Sequence, residues 1–275
     1  MLHETICLSD KYSFLKNEKT NPTLTAYVNT GCENSCKNRP AVLICPGGAY
    51  AFVSPREAEP AVFHFLQAGY NCFVLDYTVE ATGNFPTQLR EAACSVDLIK
   101  SNKEQWNLNG KLAIIGFSAG GHLAANYATM WNCPEVEEVI KSKPVDACVL
   151  SYAVLSADEN NFAHGCSIKN LLGHDPSEQE KERFSLQNRV SENTPPTFLW
   201  HTADDICVPV ENTLMYAAAL SANKVPFEVH IYPKGEHGIS TGDELCFSKN
   251  QITEDIKHTQ NWINHSIEFL NKYGF

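Results

Sequence analysis

Two rhythms of apolar and polar positions alternate along the chain. Short apolar runs at 41–45 (AVLIC), 71–77 (NCFVLDY), 111–117 (KLAIIGF), Ala147–Ser151, 195–202 (PPTFLWHT) and 227–233 (FEVHIYP) have the length and composition of buried strands. Between them lie stretches with helical spacing. Segment 56–70 carries Ala61, Phe65, Leu66 and Ala68 on one face and ends at Gly69, and 88–102 carries Leu89, Ala92, Ala93, Val96 and Ile99. Segments 119–131, 211–223 and the closing stretch 255–273 read as further helices. Strands apolar on both faces, alternating with helices, predict a mostly parallel sheet covered on each side, the three-layer α/β/α sandwich. Near the start, LHETICL and TLTAYV alternate with period two and predict antiparallel strands at one sheet edge.

One segment breaks the rhythm. From about Val154 to Glu192 the sequence turns polar and irregular, which predicts a small lid inserted after the strand that ends near Tyr152. No spacer rich in proline, glycine or serine divides the chain, and no repeat does, so 1–275 is expected to form a single domain.

Composition narrows the function classes. The 275 residues hold 21 Lys+Arg against 32 Asp+Glu, a net charge of −11, with no basic run. Nucleic acid and anionic membranes are therefore not expected as partners. The start, MLHETICLSDKYSF, lacks the basic and apolar parts of a secretory signal, so a cytoplasmic protein is expected. The 11 cysteines are irregularly spaced, and Cys45, Cys72 and Cys148 lie within apolar strands, the pattern of reduced buried thiols. Cys32 and Cys36 share a polar turn with no second Cys/His pair near it, so no metal is expected there.

The chemistry centres on IIGFSAGGHLA, 114–124. Ser118 stands where the strand becomes the helix, in the pattern Gly116-Phe117-Ser118-Ala119-Gly120. A sharp turn at this point strains the backbone and brings strand and helix close together, which demands neighbours without side chains. It also lifts one hydroxyl above the carboxyl end of the sheet, at a helix N-terminus. A serine hydroxyl needs a base, and on this architecture a carboxylate and then a histidine follow it in the chain. Asp204 and Asp205 lie just past one strand, and His237 lies in a glycine-containing loop past the next. The residues alone leave both aspartates in contention. His122 is expected to be a packed helical residue and His201 a turn residue, whereas His164 and His174 belong to the inserted segment and could meet substrate. Oxyanion donors are expected from the amide of Ala119 and, in the turn PGGAY after the strand 41–45, from Gly48 and Ala49.

With these residues in view, the chain resembles the α/β-hydrolase fold over nearly its whole length. PGGAY stands where lipase-like esterases carry His-Gly-Gly-Gly-Trp, and GFSAGGHLA, HTADDICVPV and HIYPKGEHG are similar to small carbohydrate esterases of the acetyl-xylan-esterase type. In that group the acid follows a histidine by four residues and precedes Val-Pro. The resemblance therefore selects Asp205 and implies a triad of Ser118, Asp205 and His237. Pro46 and Ala49 depart from the group's oxyanion motif, at a site that acts through backbone amides. Arg56 and Glu57 match a recurring Arg-Glu pair, with a salt bridge bracing the oxyanion loop and a place beside the acyl pocket as alternatives.

The expected function is a serine carboxylesterase acting on small acyl esters, acetyl foremost, with acetylated sugars or xylo-oligosaccharides as substrates. An amidase- or peptidase-type hydrolase on the same triad, aryl-formamidase-like, is the alternative, and a non-catalytic binding protein is a further one. No cofactor is required, and homo-oligomerisation is left open.

Overall fold

The computed structural model describes residues 1–16, 20–30, 38–79 and 84–275. Cys32 and Cys36, and with them the polar turn considered above, lie outside the described residues. The strands are β1 (Leu2–Cys7), β2 (Thr23–Val28), β3 (Arg39–Cys45), β4 (Asn71–Asp76), β5 (Leu108–Phe117), β6 (Ala147–Ser151), β7 (Thr197–Thr202) and β8 (Phe227–Tyr232). They form one sheet of eight strands in the order β1-β2-β4-β3-β5-β6-β7-β8. β1 and β2 are antiparallel at one edge, and from β4 to β8 every neighbouring pair is parallel.

The helices are α1 (Leu8–Lys11), α2 (Glu59–Gln67), α3 (Thr87–Ser101), α4 (Ser118–Met130), α5 (Pro134–Glu137), α6 (Gly165–Leu172), α7 (Glu178–Phe184), α8 (Glu211–Ala222), α9 (Glu254–Thr259) and α10 (Asn261–Lys272). Among the described residues no helix is long and apolar enough to cross a membrane.

Alternation along each strand divides the core into two layers. Leu43, Phe73, Ile114, Cys148 and Leu199 face one cluster, which includes apolar residues of α3, α4 and α8. Val42, Ile44, Ala113, Ile115, Val149 and Phe198 face the other, built with α2 and α10. This is why the strands read as wholly apolar: successive side chains point to opposite faces, and both faces are covered. The sandwich expected from the pattern is present, with the α/β-hydrolase type of sheet. Cys45, Cys72 and Cys148 are buried free thiols, as their strand positions implied.

Two expectations need correction. The closing stretch is two helices: at Gln260 the side-chain amide donates to Gly242 O at 2.8 Å, and α10 starts again after it. Ala68 lies beyond α2 and is exposed, since the helix ends at Gln67. The segment 154–192, expected as a small lid, is built largely of helix and turn. It contains α6 and α7, and Val154, Leu155, Ile168, Leu171, Phe184 and Leu186 are buried in the same core cluster as β5 and α4. Its polar sequence hides these helices because the apolar residues come at helical spacing among many charges. Ser177 and Glu180 close a capping box at the start of α7.

The strand order positions the site. From β3 the chain adds β4 on one side and then crosses back to place β5 on the other. Between β3 and β5 the sheet therefore has its switch point, where loops at the carboxyl ends diverge and leave a crevice.

Candidate active site

Ser118 follows the last residue of β5 and opens α4 with φ +51°, a left-handed conformation rare for a residue with a side chain. The flanking glycines make this turn fit. A Cβ on Gly116 would stand 2.3 Å from Gly120 O, and one on Gly120 would stand 2.1 Å from Cys45 O. Both obstacles are backbone and cannot swing aside. Gly120→Ala should therefore cost about 3 kcal/mol or more, because overpacking against rigid backbone forces the sheet and α4 apart. Urea unfolding midpoints of the variant and the parent check it.

Two loops bring the partners of Ser118. His237, past the end of β8, has Nε2 2.8 Å from Ser118 Oγ. Its Nδ1 lies 2.7 Å from Oδ2 of Asp205, past the end of β7. A carboxylate can only accept, so Nδ1 carries the proton and Nε2 accepts from the serine hydroxyl. Asp205 is itself held: Oδ1 accepts the amides of Cys207 and Val208, each at 2.9 Å. Burial alone would raise its pKa, but hydrogen bonds from His201 and His237, the charge of His237 and the Val208 amide outweigh it. The carboxyl is held well below the usual carboxylate range and stays ionised near neutrality.

Asp204 does not reach His237. Its Oδ1 accepts the Gly235 amide at 2.7 Å, which shapes the histidine loop from outside. His201 braces the loop of the acid, with Nε2 2.9 Å from Val208 O and 3.4 Å from Asp205 Oδ2, and Nδ1 2.8 Å from Thr213 Oγ1.

The turn 46–50 lies beside Ser118, and a Cβ on Gly47 would stand 2.9 Å from that of the serine. Ala49 and Tyr50 both have positive φ, at +55° and +57°. Non-glycine residues hold such angles only where surrounding bonds over-determine them. Here Tyr77 Oη donates to Pro46 O at 2.7 Å, Ser54 N to Gly47 O at 3.0 Å, and Asn170 Nδ2 to Ala49 O at 2.9 Å. Asn170 belongs to α6, so the inserted segment supports this turn directly. The amides of Gly48, Ala49 and Ala119 carry no hydrogen bond among the described residues. Those of Gly48 and Ala49 lie in the loop that lines the cavity, and that of Ala119 lies in the first turn of α4, whose amides have no partner within the helix.

Between these loops is a cavity of about 440 Å³, lined by Gly48, Ala49, Phe52, Arg56, Ser118 and His237 among others. It is within the size range of small-molecule sites. His164 and Cys207 form part of its wall, with His164 Nε2 3.7 Å from Cys207 Sγ. Burial, and then the neighbouring His237, hold His164 below the ordinary imidazole range. His174, the other histidine of the inserted segment, pairs with Glu180 at the surface.

Arg56 and Glu57 separate in role. No ion pair joins them. Arg56 lines the cavity with its guanidinium 5.0 Å from the Phe247 ring centre. Glu57 is 3% exposed and accepts the Gly47 amide at 2.8 Å and the Tyr152 hydroxyl at 2.7 Å. Burial raises its pKa, and the bonds from Tyr152 and Gly47 offset part of that rise. Tyr152 and Asn170 were not singled out in the sequence. The signal for Tyr152 was its place at the carboxyl end of β6; for Asn170 there was none.

His122 is a packed helical residue, as expected. Its ring is fully buried, with Nδ1 3.0 Å from Tyr50 Oη and Nε2 3.2 Å from Phe184 O. Burial pushes it down to about 4 from an ordinary 6.5, with the Phe184 bond opposing. Glu91, buried against Thr78, is pushed up to about 7 from 4.5 by burial, with the Thr78 bonds opposing. The two act in opposite senses on acid stability. The His122 contribution is intact above pH 6.5 and is lost as pH falls towards 4, by about 3 kcal/mol. The Glu91 contribution is complete below pH 4.5 and is lost as pH rises through 7. Urea midpoints between pH 4 and 7 should show His122→Gln losing less stability on acidification than the parent, and Glu91→Gln losing more.

Comparison with known proteins identifies the family. The BD-FAE family profile matches residues 29–220, a span that includes Ser118 and Asp205 and stops before His237. The chain belongs to the BD-FAE family. Endo-1,4-beta-xylanase B of Butyrivibrio fibrisolvens is 35% identical over 254 residues, 89% of this chain and 39% of that protein. The acetylxylan esterase of Xylanibacter ruminicola is 29% identical over 229 residues, 81% of this chain and 45% of that protein. This BD-FAE chain thus spans less than half the length of these curated relatives. Among solved structures, the acetyl ester-xyloside bifunctional hydrolase from Caldicellulosiruptor lactoaceticus superposes with TM-score 0.84 at 33% identity. The match covers 99% of this chain and 97% of that one.

Proposed function

We propose that the protein is a serine carboxylesterase that removes small acyl groups, acetyl foremost, from hydroxyls of sugars or xylo-oligosaccharides. The observation that carries this reading is the hydrogen-bonded series Ser118–His237–Asp205 on the wall of a small cavity. An acetylxylan esterase and an acetyl ester-xyloside hydrolase among the similar proteins support the substrate class.

In this reading Ser118 Oγ attacks the ester carbonyl carbon while His237 Nε2 takes its proton. Nδ1–H remains bonded to Asp205, whose negative charge stabilises the imidazolium. The oxyanion is received by the amides of Ala119, Gly48 and Ala49, donors already in place before the reaction. The bond to the alcohol breaks, and the alcohol leaves with the proton from Nε2. Water, deprotonated by the same nitrogen, then attacks the acyl-serine and releases the carboxylic acid. The positive end of α4 lies at the serine and favours the developing negative charge.

The test is a set of initial rates on esters from acetyl to octanoyl, acetylated xylo-oligosaccharides and a matched acetyl amide. The reading predicts fastest turnover of acetyl esters, including those on the sugar. A preference for the amide would replace it with the amidase alternative.

A further inference from the structure

Glu57 is a buried acid that the reaction above does not use, yet its bonds reach two parts of the site. Oε2 takes the Gly47 amide, in the turn that carries the proposed oxyanion donors. Oε1 takes the hydroxyl proton of Tyr152. The direction of that second bond is settled by a third. The Ser240 amide donates to the same Tyr152 oxygen at 3.0 Å, so the tyrosine proton goes to Glu57. Ser240 is three residues beyond His237 and has φ +57°. It is fixed on its other sides by Oγ donating to Arg56 O at 2.7 Å and by Trp262 Nε1 donating to Ser240 O at 3.0 Å. The Tyr152 ring meets the His237 ring edge to face, with centroids 5.0 Å apart at 71°.

We infer that Glu57 is a positioning residue of the proposed esterase site, a carboxylate that locks the oxyanion turn to the histidine loop and sets a second negative charge behind His237. The inference rests on the esterase reading and extends it. Two of its features go beyond structural bracing. Both carboxyl oxygens face groups that donate, an arrangement that suits the ionised form. The acid also lies within electrostatic reach of His237 and lines the same cavity. The other charged or titratable groups facing His237 are Asp205, His164 and Arg56, the last with Nη1 3.5 Å from Gly238 O. Those around Glu57 and Tyr152 are His237 itself, Tyr77 and Cys246.

The experiment uses the whole chain and p-nitrophenyl acetate, with kcat, KM and the pH profile of kcat/KM for Glu57→Gln and Tyr152→Phe. Glu57→Gln keeps the size of the side chain and removes its charge. It should lower kcat about a hundredfold, the scale of a misplaced site, with KM nearly unchanged. It should also move the acid limb of the profile to lower pH, because the imidazolium loses a neighbouring anion. Tyr152→Phe removes both bonds of the tyrosine oxygen, to Glu57 and from the Ser240 amide, and leaves the Glu57 carboxyl in place. It should lower kcat about tenfold and leave the acid limb in place. Because phenylalanine fills the tyrosine site, this variant tests the link even if Glu57→Gln fails to fold. Wild-type kcat in Tyr152→Phe, or an unmoved acid limb in folded Glu57→Gln, overturns the inference. Either result leaves the esterase reading standing, since that reading fails only if the parent does not hydrolyse esters through Ser118.

Discussion

Ser118→Ala is expected to lower hydrolysis of acetyl esters by about five to six orders of magnitude while leaving the fold and substrate affinity intact. The change removes one oxygen, whose chemical partner is His237 Nε2 at 2.8 Å. Residues of such a triad act as a unit, so deleting the nucleophile removes nearly all that the triad supplies. On the proposed mechanism, what remains comes from the amides of Gly48, Ala49 and Ala119 acting on bound ester with water as nucleophile. Steady-state kinetics in parallel with circular dichroism checks this. A loss of only a few fold would place the nucleophile elsewhere.

The second large effect separates the two aspartates. Asp205→Asn should lower kcat by about three to four orders of magnitude, because the amide holds the imidazole in the wrong tautomer and supplies no charge to its cation. Asn keeps an oxygen for the amides of Cys207 and Val208, which Asp205 now holds at 2.9 Å, so the loop should survive. Asp204→Asn keeps an acceptor for the Gly235 amide, its 2.7 Å partner, and should cost only a few fold. Comparable losses in the two variants would mean that the carboxylates share the orienting role.

Much of this arrangement could be read from residue pattern because it depends on strand ends. The strands 41–45, 111–117 and 147–151 are apolar on both faces, so their burial and parallel order follow from composition and period. Once the sheet is parallel, residues past the carboxyl ends converge. Gly48, Ser118, Asp205 and His237 all follow strand ends; Gly48, Ser118 and His237 line one cavity, and Asp205 joins it through His237.

What pattern could not show is contact between segments far apart in the chain. Asn170 reaches Ala49 across 121 positions, and Tyr152 reaches Glu57 across 95. Neither pairing has a local signature. The helices within 154–192 were hidden for a related reason: charged residues dominate the composition, whereas a few apolar side chains such as Leu171 and Phe184 pack into the main core. Glu57 stood out in the sequence only as half of an Arg-Glu pair. Its burial, and the absence of an ion pair with Arg56, are properties of the turn 46–57 in three dimensions.

The central claim is that Ser118 is an activated nucleophile. It is tested most directly by treating the folded protein with a fluorophosphonate and locating the adduct by peptide mass spectrometry. The account predicts one phosphonyl group on Ser118 in the parent and none in Ser118→Ala. An adduct at another residue, or a folded parent that takes up no label, would contradict it.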